Sequence, residues 1–509
     1  MAVRIDNLKL RPGESEEKLL RLAAAKARGC RYFRILRKSL DARDKANIRW
    51  VYSVEADTKP FPEPMPNVAP VSKRPRVVVV GSGPAGLFCA VWLTLAGVRP
   101  LVVERGGTVE ERVQKNNNFF ARHELDENCN VQFGEGGAGT FSDGKLNTQT
   151  HGPLNRDVLN LFVHFGAPPE IAYLNKPHIG SDRLRVVVKN IRNFIEENGG
   201  EVRFHTLFGG VVSAEGRCKA VRLRDLQAGT EYEQAADEVV LAIGHSSRDT
   251  FAALEADGFA MEPREFAVGV RIEHLQEKVN IAQYSVTHTL LPPADYKLVS
   301  RGERTAFTFC MCPGGVVIPA ASEYGGVVTN GMSDYARDGQ NANSALLVQV
   351  RREDFDRGGL LDGVEFQRKL ERAAFAAAGG CYAAPVQRSG DFFAGRETNR
   401  FGDVRPTYAA GVVSLDLNRL LPSYVSNALK RAIQDMDTRL RGFADPDAVL
   451  TAPETRFSSP VRILRGESLE SLRVRGVYPC GEGCGYSGGI TSSAADGLRV
   501  AQKICEKYR

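Results

Sequence analysis

The stretch RVVVVGSGPAGLFCAVWLTLAGVRPLVVE, residues 76–104, sets the architecture of this chain. Its four consecutive valines, Val77–Val80, suit a strand buried on both faces, as in a parallel sheet. Gly81, Gly83 and Gly86 follow at G-x-G-x-x-G spacing. An apolar helix then runs to about Gly97, and a second strand ends at Glu104. Gly81 permits the tight turn, Gly83 lets backbone approach a pyrophosphate, and Gly86 lets helix and strand pack closely. The helix N-terminus, with Ser82, Pro84 and Ala85 in the turn, offers N–H groups and partial positive charge to phosphate. Glu104, 23 residues after Gly81, is placed to accept from a ribose 2′-hydroxyl and to repel a 2′-phosphate. The same glycines and Pro84 break the apolar window Val77–Val98, so no membrane span is expected there.

A second glycine stretch lies near the other end, in GVYPCGEGCGYSGGITSSAADGLRVAQKI, residues 476–504. It reads as a short strand, a turn carrying Gly481 and Glu482, and a helix starting near Gly489–Ile490. An independent dinucleotide fold needs another strand with its own acid after that helix, and too few residues remain. The segment is therefore expected to return to the first sheet and complete it. FAD suits such a site, with adenosine at the first turn and ribityl and ring at the second. Glu482 is then expected on the ribityl or pyrophosphate side, with the helix N-terminus at the ring, where reduction places negative charge.

Two further stretches point the same way. NVQFGEGGAGTFSDGKLNTQT, residues 130–150, holds five glycines between Gly134 and Gly144, including Gly136, Gly137 and Gly139 around Ala138. That density suits backbone lying against a flat ligand or a pyrophosphate. VVLAIGHSS, residues 239–247, is a strand whose end, through Ala242 and Gly244, is expected to close over the cofactor. Together, GSGPAG with Glu104, GGAGTFSDGKL, LAIGHSS and GEGCGYSGGITSSAADG resemble the bacterial and plastid family of uncharacterised FAD-dependent dehydrogenases, distant relatives of the two-dinucleotide-fold flavoproteins. The likeness extends over nearly the whole chain, through EFAVGVRIEH, FTFCMCPGGVVIPA and NGMSDYARDGQNANSALLV. It implies FAD at Gly81, Gly83, Gly86, Glu104, Arg105, Gly137, Gly139, Glu482 and Gly489–Ile490, with Gly488 beside them. The family's usual C-terminal acid is Asp, and Glu482 is one methylene longer.

At 509 residues the chain exceeds one core, and about three domains are expected. Residues 1–60 carry 15 Lys and Arg against 8 Asp and Glu, a net of +7, so the rest of this +6 chain sums to −1. That basic module (1–59) reads as strand, helix, strand, strand. Six prolines between Pro60 and Pro75 mark a stiff linker. The expected class is α/β: a Rossmann-type FAD-binding domain (76–260 and 453–509), an inserted α+β substrate domain (261–452) and the small N-terminal α/β module. Ten cysteines without zinc spacing and no leader-like start suit a reducing, cytoplasmic setting with no metal site.

A flavin supplies the electron chemistry, so the protein's task is orientation. Candidates near the ring are Lys145 and Asp143 in the glycine loop, and His245 at the strand end. Arg271 is a candidate anchor for an acidic substrate or else a salt-bridged arginine. Cys310 and Cys312 are structural thiols or a redox pair; Cys480 and Cys484 are read as packing residues, and Asn341 and Asn343 as turn formers. The reading is an FAD-dependent oxidoreductase moving hydride equivalents to or from a small organic substrate. NAD(P)H is a transient donor on the substrate side, and an electron-donor protein an optional partner. The alternative is a flavoprotein that holds RNA, such as tRNA, through the basic module, whose Tyr32, Phe33, Trp50 and Tyr52 lie among cationic residues.

Overall fold

The computed structural model describes residues 2–148 and 152–509; Gln149 and Thr150, which end the quoted glycine loop, lie outside the described residues. Val77–Val80 is the middle strand of a five-stranded sheet. Leu101–Val103 and Glu201–Arg203 extend it on one side, Glu238–Leu241 and Val477–Pro479 on the other, and every pair is parallel. Chain order reverses between Val77–Val80 and Glu238–Leu241, so the loops at their carboxyl ends diverge and leave a crevice.

The C-terminal segment joins this sheet, as expected, and pairs with Glu238–Leu241 rather than with the first strand. Its helix, Ile490–Lys507, lies along the glycine-turn helix Pro84–Leu95. Gly497 makes that approach possible, because a Cβ there would sit 2.1 Å from the Ala85 carbonyl oxygen. One apolar run divides in two. After Glu201–Arg203 the backbone turns at His205, whose φ is 50°. It continues as Thr206–Ala214 in a separate antiparallel sheet with Arg217–Asp225 and Glu231–Ala235.

The chain leaves this region after Met261–Pro263 and returns on its antiparallel partner, Val461–Ile463. Between them lies a seven-stranded sheet centred on Phe266–Leu275 and Asn341–Val350, which pair along ten residues each. Phe266–Leu275 is buried along almost its whole length beneath helices that include Ser423–Asp437. The turn reading of Asn341 and Asn343 is corrected here, since both are buried strand residues. Their amides serve Glu273 and Arg271 respectively, which a polar run in sequence does not reveal.

The basic module forms the order Val3–Leu10, Arg49–Asp57, Tyr32–Asp41, with the helix Glu16–Lys26 packed across it. It is docked rather than spaced away. Lys38 exchanges backbone hydrogen bonds with Tyr173 and Asn175 at 2.8 and 2.9 Å, and Ile48 enters the core of the inserted domain. The proline segment is a strap: Met65, Val68 and Val71 pack on the parallel-sheet domain, and Ser72 N–H donates to the Tyr508 carbonyl. Tyr52 is buried, and Phe33 and Trp50 pack on the module core, so three of its four aromatics are spent on folding. No helix among the described residues is long and apolar enough to cross a membrane.

Candidate cofactor cleft

A cleft of about 440 Å³ opens where the strand order reverses. It runs from Gly81 and Glu104, past Gly137–Gly139 and Gly488–Ile490, to Lys145 and the Phe309–Met311 segment of the inserted sheet. Two helices point their N-termini at it. Pro84–Leu95 and Ile490–Lys507 both start from glycine, Gly83 and Gly489, with no side chain capping the first turn. Their positive ends and unpaired N–H groups therefore face one cavity.

The glycines divide by what surrounds them. A Cβ on Gly86 would lie 1.9 Å from the Gly81 carbonyl oxygen, and one on Gly137 would lie 2.9 Å from the Gly83 Cα. These positions let backbone pack on backbone. Beside Gly244, Gly488 and Gly489, by contrast, a Cβ meets nothing within 4 Å, yet all three line the cleft. Open glycine backbone and two bare helix ends on one cavity fit a pyrophosphate and a flat ring.

Glu104 is buried and does more than the turn motif suggests. One carboxylate oxygen accepts from Ser82 N–H (2.9 Å) and Ser82 Oγ (2.8 Å), the other from Gly106 N–H (2.9 Å) and Gly134 N–H (3.0 Å). It thus clasps the first glycine turn to the Gly134–Gly144 loop. Arg105 stacks over Phe133 at 4.3 Å and pairs with Asp249.

At the far end, His245 Nδ1 lies 3.2 Å from Glu482 Oε1, while its buried Nε2 has no protein partner. Lys145 lines the cleft and donates to the Met311 carbonyl. Asp143 does not line it. It is fully buried, and Ser333 and Arg337 both donate to its carboxylate, locking the glycine loop to the inserted domain. A reacting role for Asp143 is therefore corrected to that of an anchor. Ser82, Gly86, Gly136 and Gly481 likewise stand behind the wall: Gly136 faces Thr140 and Val188, and Gly481 faces Ala85.

Of the two readings of Arg271, the structure supports the salt-bridged one. Its guanidinium donates to both oxygens of Glu454 (2.9 and 3.0 Å), to Asn330 and Asn343 (2.9 and 3.0 Å) and to the Cys310 carbonyl (3.0 Å). No donor remains for a substrate carboxylate. Burial alone would lower its pKa, but the Glu454 carboxylate more than offsets this and raises it. Cys480 and Cys484 are buried in the core, as expected of packing residues, and burial pushes both thiols up.

Three comparisons bear on this geometry. Residues 75–281 match the family described as pyridine nucleotide-disulphide oxidoreductase, residues 265–457 that described as FAD-dependent protein, C-terminal domain-like, and residues 2–57 a domain of unknown function. An uncharacterised protein of Clostridium beijerinckii is 42% identical over 535 residues, covering 100% of this chain and 99% of its own. The chain belongs to a family of FAD-dependent oxidoreductases. Its cofactor is FAD, and its sheet is the Rossmann type. Solved structures of low overlap include the flavin-dependent brominase Bmp2, with 14% identity, 86% of this chain, 80% of that chain and a TM-score of 0.39. CtdE in complex with FAD gives 10%, 85%, 84% and 0.37 in the same order.

This FAD-dependent oxidoreductase holds its cleft with residues that the motifs did not announce. Arg112, fully buried on the helix Val109–Arg122, donates to the carbonyls of Asn130, Val131, Glu135 and Gly137 and so grips the glycine loop from behind. Burial pulls its pKa down to about 10. Asp496, inside the C-terminal helix, accepts from Gly481 N–H at 2.9 Å and pairs with Arg465 at 2.8 Å. The only sequence signal for Asp496 was an acid among small residues. For Arg112 there was none.

Proposed function

We propose that hydride equivalents pass between the bound flavin and a small organic substrate seated under the inserted domain. The observation that supports this most is the continuity of the cleft, from the Glu104 turn to side chains of the second sheet. FAD, when bound, supplies the two-electron carrier. Gly81, Gly83–Ala85 and Glu104 would hold its adenosine end, with Gly137–Gly139 and Gly488–Ile490 at the ring end. The Ile490–Lys507 helix would place positive potential beside the ring. Glu482 orients His245 on the cleft wall, where the imidazole would hold or move a proton.

The described residues contain one parallel nucleotide sheet, so NAD(P)H, if it is the donor, enters from the substrate side. An acidic electron-carrier protein meeting the basic module is the other source of electrons. The ten cysteines, all free thiols, support a reducing cytoplasmic location. Anaerobic titration of the yellow protein, followed at the visible absorption band of the bound flavin, tests the scheme. Bleaching by a donor and recovery with an organic acceptor is expected, and a flavin that no donor reduces refutes it.

A further inference from the structure

The segment Cys310-Met311-Cys312 is not used by the scheme above, yet it contributes Cys310 and Met311 to the cleft wall. Regular pairing between Ala306–Cys312 and Asn341–Val350 breaks between Phe309 and Cys312, a bulge that re-aims the residues within it. Cys310 sits there with φ of 42°, left-handed for a residue with a side chain. The conformation is secured from both sides, by Arg271 donating to the Cys310 carbonyl and by Lys145 donating to that of Met311. Cys312, by contrast, is fully buried, and its Sγ lies 3.2 Å from the Cys310 carbonyl oxygen.

We propose that Cys310 is a thiolate nucleophile presented to the substrate end of the cleft, where it takes a soft carbon electrophile, an alkene conjugated to a carbonyl. This deepens the flavin reading and rests on it only for what lies at the other end of the cavity. Several cleft features suit that class. Phe309 and Phe457, with ring centroids 4.5 Å apart, offer apolar surface to the carbon skeleton. Lys145 offers an ammonium to the carbonyl oxygen, and Asn330 adds a polar edge. In the addition, the sulfur forms a bond to the β-carbon as the alkene π bond breaks. The α-carbon takes a proton from water, and nothing is oxidised or reduced.

The electrostatics agree. The neighbouring Cys312 thiol, with Arg271 and Lys145 adding positive potential, brings the Cys310 thiol down against the opposing effect of burial. The neighbouring Cys310 and burial push Cys312 up. An ordinary thiol titrates near about 8.5. A thiol held below that value is more fully ionised near about pH 6 than an ordinary one. A low-pKa thiolate is intrinsically weaker, but with a Brønsted slope of about 0.4–0.5 the gain in thiolate fraction outweighs that loss.

The test is N-ethylmaleimide labelling of FAD-loaded protein from about pH 5 to 9, with peptide mapping by mass spectrometry. Flavin content is read separately from absorbance. Cys310 should label about tenfold faster at about pH 6 than Cys30 or Cys381, which are also only partly buried. The midpoint of its pH–rate profile should lie at least about one pH unit below those of Cys30 and Cys381, and Cys312→Ala should raise it. Cys310→Ser should lose the label, and if that variant does not fold, mapping of the wild-type chain decides alone. A midpoint above about pH 8, or labelling no faster than that of Cys30, overturns the proposal. Attack by small disulfides but not by maleimide overturns the assignment to carbon electrophiles. Absence of flavin counts against the cofactor reading instead, and labelling of the apoprotein still judges Cys310.

Discussion

Replacing Glu104 by Gln tests whether this carboxylate organises the nucleotide turn. The carboxylate accepts four hydrogen bonds, three from backbone N–H groups and one from the Ser82 hydroxyl. A glutamine keeps the shape but has one oxygen and one NH₂. The least costly orientation gives the oxygen to Gly106 and Gly134, whose N–H groups cannot reverse, and turns the NH₂ toward Ser82. The Ser82 hydroxyl can rotate to accept, but the Ser82 backbone N–H is left unsatisfied in a buried site. One such orphan costs about 1–3 kcal/mol. If the turn is fully formed only with cofactor bound, FAD dissociation constants rise by about 5- to 150-fold. If it is preformed, the same cost lowers the apoprotein's melting temperature. Calorimetric FAD titration and a thermal melt of the apoprotein read both. An E104Q protein within about twofold of wild-type FAD affinity and within about 1 °C in Tm would contradict this account of the carboxylate.

Gly488→Ala probes the open side of the cleft: its methyl meets no protein atom within 4 Å. Apoprotein Tm should stay within about 1 °C while FAD affinity falls about tenfold, or about 1.4 kcal/mol; unchanged affinity would place the cofactor elsewhere. Glu371→Gln removes the buried anion between Arg248 and Arg456, which lie 2.9 and 2.8 Å away. Glu323 remains as a partial counterion, so the loss should sit near the low end of about 3–5 kcal/mol, about 3 °C in Tm by scanning calorimetry for a chain of this size. Burial alone would raise the Glu371 carboxyl, but the two arginines hold it well below the ordinary range. Its stabilising contribution is therefore complete above about pH 4.3 and lost as the pH falls below that. The wild-type–variant gap in Tm should stay constant from about pH 6 to 8 and narrow below about pH 4; a gap constant down to about pH 3 argues against the assignment. His245→Ala should keep full flavin content but slow flavin reduction or reoxidation by about 100-fold in stopped flow; an unchanged rate removes His245 from proton transfer.

The two glycine turns, the strand before each and the helix after each were legible because backbone chemistry there admits few residues. Four valines entering G-x-G-x-x-G leave little choice of structure, and the single short strand before the second turn cannot make a sheet alone. Which neighbour that strand would join was not legible: it took Glu238–Leu241, not Val77–Val80. The seven-stranded sheet was visible only as a change of texture. Its polar strand start at Asn341–Ser344 read as a turn, because the groups that satisfy those amides, Glu273 and Arg271, are 68 and 72 residues away in the chain.

Read alone, the chain specified local features: a parallel β-α-β unit, a returning C-terminal strand and a small basic module, each set by periodicity and glycine spacing. Folding settled which polar residues face the cleft and which hold it together. Asp143, Lys145 and His245 look alike as candidates in a loop, but the fold turns Asp143 onto Arg337 and leaves Lys145 and His245 on the cavity wall. Arg271 and Cys310 were likewise ambiguous until Glu454 and the asparagines took up the guanidinium and a bulge turned Cys310 to the cleft. A side chain's role depends on which partners compensate its burial, and those partners come from distant parts of the chain.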